Sequence, residues 1–142
     1  MPNWCQNEII FTHESKEMLD KLEEAVKEEK VLEFLRPMPN EMENDGGWCN
    51  WCISNWGTKW DLCHIEWVQR QDDNRIVIRA ESAWSPPIQA FEYAEKNGWK
   101  ITAIFFEAGS CFAGVFRDGV ADMRDVDDVW RFIITSNFSP YF

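Results

Sequence analysis

The order in which apolar periodicities succeed one another limits this chain more than any other feature. Helical spacing occurs in Met18, Leu19, Leu22, Ala25 and Val26, and again in Ile88, Phe91 and Ala94. Each stretch follows one strand-like segment and precedes another. Cys5 to Phe11 reads as a first strand, with Ile9 and Phe11 on one face and Ile10 on the other. Ser15 is a fitting N-cap for a helix over Lys16–Glu28, with Glu17 and Lys21 spaced for mutual support. Leu62–Gln69 alternates again. Cys63, Ile65 and Trp67 fall on one side, and His64, Glu66 and Val68 on the other. Gln71–Asn74 is a turn, and Arg75–Trp84 returns beside the preceding strand.

Ser85–Pro86 predicts a second helix, with Ser85 as cap and Pro86 as first helical residue, running to Lys96 and closed by Gly98. Lys100–Glu107 is a core strand and Cys111–Arg117 its hairpin partner. Asp118–Gly119 turns once more, and Asp125 or Asp127 can cap a last helix through Val126, Val129, Trp130 and Ile133. The tail residues Phe138, Pro140 and Phe142 are expected to pack back onto the core. Val31–Leu35 is a short apolar run that reads as a strand or a buried connector.

The expected fold class is therefore α+β, a ferredoxin-like split β-α-β sandwich. Its antiparallel sheet carries helices on one face, and a C-terminal strand and helix follow. At 142 residues, one domain over 1–142 is expected. Its unusual part is a long Trp-rich loop at about 37–61, with room for one short helix. Pro37 and Pro39 interrupt regular structure there, and loops of this length in compact domains are often functional.

Charge narrows the partners. The formal net charge is −11, which opposes binding to nucleic-acid phosphates and to anionic membranes. No run reaches the length of a membrane helix, and Met1–Trp4 has no signal-peptide character, so cytoplasmic residence is expected. A protein partner is the natural expectation. One variant is an acidic mimic of DNA that blocks a DNA-binding host protein. Its material would be Glu23–Glu24, Glu28–Glu29, Glu41–Glu43–Asp45 and Asp122–Asp125–Asp127–Asp128.

Three separated motifs stand out. They are Met1–Pro2–Asn3–Trp4–Cys5–Gln6–Asn7, Asn55–Trp56–Gly57–Thr58–Lys59–Trp60–Asp61, and Ala83–Trp84–Ser85–Pro86–Pro87. With Phe106–Glu107–Ala108–Gly109 they resemble the Api92-like or YubB-like family of phages, plasmids and bacteria. The resemblance runs in order over most of the chain and implies a ferredoxin-like domain and a mobile-element origin. It implies no iron–sulfur cluster and supplies no catalytic residues.

Candidate binding residues are Asn55, Trp56, Lys59, Trp60, Asp61, Trp84 and Ser85. In an antiparallel hairpin Asp61 and Trp84 flank neighbouring strand ends, so Trp60, Asp61, Trp84 and Ser85 should cluster. A pocket there could stack and hydrogen-bond a small ligand. The competing reading makes the tryptophans a satellite core with Asp61 capping backbone groups, and it has more weight because buried aromatics commonly serve this way. Both tryptophans would then be buried, and Trp84 would be held extended ahead of the capping Ser85.

Cys49–x–x–Cys52 with Cys63 and His64 has only half of a zinc spacing, so no metal and no other cofactor is expected. His64 and Glu66, facing Arg79 and Glu81 across the hairpin, could do acid–base work, but such groups are more often ion pairs. No recognisable catalytic constellation is present, which argues against an enzyme.

Overall fold

The computed structural model describes residues 3–40 and 47–125. Strand β1, Trp4–Thr12, leads to helix α1, Lys16–Lys27, and a one-and-a-half-turn helix α2, Val31–Leu35. Helix α3, Trp48–Asn55, precedes the hairpin of β2, Cys63–Gln71, and β3, Arg75–Ala83. Helix α4, Ile88–Lys96, then leads to β4, Lys100–Glu107, β5, Phe112–Arg117, and β6, Val120–Asp125. The sheet has six strands in the order β2-β3-β1-β4-β5-β6, and every pairing is antiparallel. Its first four places, β2-β3-β1-β4, make the ferredoxin-like arrangement, and the helices pack on one face.

The register explains the layering. Ile9 lies between Ile78 and Ala103, and Phe11 between Ile76 and Ile101. These six form a buried surface that receives Leu19, Leu22 and Val26 of α1 and Ala90, Phe91 and Ala94 of α4. Phe91 also meets Phe116 of β5, with ring centroids 5.4 Å apart. On the opposite face, Gln6, Glu8, Ile10 and Thr12 alternate outward, as the pleat requires.

Helix ends follow local chemistry. The Ser15 hydroxyl accepts from Met18 N at 3.3 Å, as expected of an N-cap. Gly98, at φ +96°, allows Trp99 N to donate back to Ala94 O at 3.1 Å and closes α4.

Several sequence expectations are corrected. Val31–Leu35 is a helix, neither strand nor connector. Helix α4 begins at Ile88, with Pro87 as its N-cap and no side-chain cap, so Ser85 and Pro86 precede it. The cause is the second proline: Pro87 disfavours helical backbone at Pro86. After Arg117, the Asp118–Gly119 turn has both residues at positive φ, which suits a tight hairpin, and Val120–Asp125 is a sixth strand that the sequence reading did not include. The expected last helix and the tail lie outside the described residues.

Gly114 is where β5 needs a missing side chain. A Cβ there would collide with the Asp122 carbonyl oxygen and lie 2.8 Å from the Phe105 ring. Gly114→Ala is expected to lower stability by about 1–3 kcal/mol, the usual range for overpacking. Urea unfolding at wild-type stability would rule out this packing of β4, β5 and β6.

Candidate functional site

The four sequence motifs meet at one end of the sheet. Asn3 O accepts from Trp84 N at 2.8 Å. Gly109 lies so near Asn3 that an added Cβ would be 2.9 Å from its side-chain nitrogen. Glu107, buried beside them, accepts from Gly109 N at 2.6 Å and Ser110 N at 2.7 Å, which holds the β4–β5 turn. From the loop before β2, Thr58 Oγ1 donates to Ala83 O at 2.8 Å, and Gly57 O accepts from the Ser85 hydroxyl. Ser82 Oγ donates to Ser85 O at 2.7 Å and itself accepts from Asn7 Nδ2 at 2.9 Å.

This network holds Trp84 in an unusual state. Ser85 N donates to Ala83 O at 2.8 Å, closing a three-residue γ-turn whose centre is Trp84 at φ +71°. Left-handed backbone is disfavoured for a bulky L-residue, at roughly 1–3 kcal/mol. The side chain gains no compensating burial, because Trp84 is 49% exposed. Three expectations fail here. Trp84 is neither extended nor a packing anchor, and Ser85 holds the loop at Gly57 where a helix cap was expected.

Beside it lies a second cluster. The Trp60 ring stands edge-on to Trp4, with centroids 6.1 Å apart, and Trp4 meets His64 at 5.0 Å. His64 sits in a β-bulge between the Cys63–Glu81 and Glu66–Arg79 pairs, at φ +50°. Bulges re-aim side chains, and here Nδ1 of His64 lies 2.9 Å from Glu81 Oε1. Gln6 Nε2 donates to the other oxygen of Glu81 at 2.7 Å. The carboxylate paired with His64 is thus Glu81, while Glu66 stands opposite Arg79. Trp4 and Gln6 were not among the candidates from sequence. Their shared strand parity was legible, but the bulge that brings His64 to them was not.

The remaining candidates serve structure. Trp56 is buried, donates from Nε1 to Arg36 O at 2.9 Å, and packs edge-on to Trp51 at 5.5 Å. Asn55 donates to Trp51 O within α3. Trp56 and Cys52 belong to the main core, with Trp51 packed against it, where the competing reading expected a satellite core. Lys59 places its ammonium 5.7 Å from the Trp60 ring centroid. Asp61 shares the hairpin end with Trp60, but its carboxylate turns to α2. It accepts from Leu32 N at 2.9 Å, Glu33 N at 3.0 Å and Leu62 N at 2.7 Å.

Cys52 is buried, and burial pushes its thiol up to about 11. Burial likewise raises Cys63, while Cys49 is half-buried. Among the described residues, no three His, Cys, Asp or Glu side chains come together as a metal site. Among them, no helix is long and apolar enough to cross a membrane. No family model, curated protein or solved structure matches the chain.

Asp61 has a measurable signature. Burial pushes its carboxyl up to about 6 from 3.8, against the three backbone donors that favour the charged form. The folded chain therefore takes up this proton at higher pH than the unfolded chain does. Its contribution to stability grows as pH falls through about 6 and is complete below about 3.8. Relative to Asp61→Asn, the wild type should gain stability as pH falls from about 7.5, approaching roughly 1.4 kcal/mol per unit of difference between the two pKa values below about pH 3.8. Parallel pH profiles in urea unfolding would refute the assignment.

Proposed function

We propose that this chain is a non-enzymatic binding protein that engages another protein through the sheet end bearing Trp84. The supporting observation is the half-exposed Trp84, kept at φ +71° by a turn that Asn3, Gly57, Thr58 and Ser82 all brace. Backbone strain persists only where its surroundings over-determine it, and it concentrates at sites of use. Exposed tryptophans are preferred anchors of protein interfaces, and a pre-held ring loses little freedom on binding. The family resemblance suggests an accessory role in a phage, plasmid or other mobile element.

The other readings have less support. A DNA mimic needs an array of unengaged carboxylates, yet Asp20 and Glu23 both bind Arg70, at 2.8 and 2.7 Å. A small-ligand pocket using Asp61 needs a carboxylate that three backbone N–H groups already occupy.

The test separates strain from contact. Trp84→Gly should be more stable than Trp84→Ala by about 1 kcal/mol, because glycine tolerates the left-handed backbone. Both variants should lose partners that the wild type captures from a host lysate. Val120→Ala, at a residue 67% exposed on the far edge strand, should keep them. Undiminished capture by both Trp84 variants would sink the reading, and so would a loss of roughly 3 kcal/mol or more in Trp84→Ala, which would make Trp84 a packing residue.

A further inference from the structure

The polar groups around Trp4 favour one kind of visitor. Glu81 accepts from Gln6 at one oxygen and has His64 Nδ1 2.9 Å from the other, and both oxygens keep lone pairs. The His64 side chain is 60% exposed, so its ring borders the site. Gln6, having used its amide nitrogen on Glu81, retains its carbonyl oxygen as an acceptor. Beside these acceptors stands the half-buried Trp4 ring. The cluster therefore suits a group that is planar, rich in donors and free of acceptors.

A guanidinium has these properties. It is flat, stacks on aromatic rings, and offers five donors in a fixed fork, whereas an ammonium is a compact point charge. The net charge of −11 favours a cationic visitor at long range. Nearby cations limit where it can sit. Lys59 lies over Trp60, and Arg79 Nε lies 3.4 Å from Glu8, so neither of these cations is placed on Trp4.

We propose that Trp4, Gln6, His64 and Glu81 form a recognition site for the guanidinium of an arginine side chain presented by the protein partner. The site rests on the protein-binding reading for the source of the arginine, but its test needs no partner.

The experiment is a titration of the purified chain with N-acetyl-arginine amide, followed by indole and imidazole NMR signals. N-acetyl-lysine amide is titrated in parallel. Saturable shifts at Trp4 and His64 are expected, with a dissociation constant on the order of 1 mM for so small a probe. The lysine probe should bind roughly five-fold more weakly or worse. Glu81→Gln, which can keep the contact to Gln6, should weaken the arginine probe roughly ten-fold while its urea midpoint stays near wild type. Absence of saturable shifts at Trp4 and His64 overturns the proposal. So does an equal response to both probes, or unchanged binding by a folded Glu81→Gln variant. Because the probe offers no protein surface to Trp84, such a failure leaves the capture experiment with Trp84 variants to be judged separately.

Discussion

The fold depends on the double pairing of β1. Its residues Gln6–Thr12 bond β3 on one side and β4 on the other, so its backbone groups are satisfied without water. Ile9 and Phe11 are fully buried on the helix side, at the middle of the core that α1 and α4 cover. Because β1 and β3 are neighbours and β3 returns from β2, β2 lies outside β3, and β4 takes the other flank of β1. Once β4 is there, β5 and β6 can only extend that edge, through two short antiparallel turns.

The same pairing gathers the candidate site. Strands β1 and β2 begin, and β3 and β4 end, at one edge of this sheet, so segments far apart in the chain are brought together there. Asn3, Gly57, Thr58, Ser82 and Ser85 then exchange hydrogen bonds that no single segment could make. Trp84 depends on that bracing, and His64, also left-handed and exposed, on the bulge between β2 and β3. The end of the sheet thus combines a rigid backbone with accessible rings, which is the combination a pre-organised contact surface requires.

Much of the architecture was legible because local signals and tertiary demands agreed. The apolar stripe Leu19, Leu22 and Val26, the Ser15 cap and the Gly98 stop all act within a few residues of themselves. Elsewhere the signal was degenerate. Val31–Leu35 is apolar nearly throughout, and such a run suits a strand as well as a helix. The helix is favoured by Asp61, whose carboxylate accepts from Leu32 N and Glu33 N, 29 and 28 residues away. Val120–Asp125 has no clear alternation of apolar residues, and its pairing with β5 makes it a strand. At the site, Trp56 and Trp84 look alike in sequence, yet one is buried and the other half-exposed.

The sequence by itself determined the period of each main strand and helix, the positions of most turns, and the net acidity. Those properties follow from side-chain spacing and charge, which are local or additive. Tertiary structure decided the state of α2, the inversion of Trp84 and the turning of His64 onto Glu81. Each of these rests on a hydrogen bond or strand pairing between distant residues. A short apolar run, a tryptophan or a bulged histidine carries no local mark of the partner that it will meet.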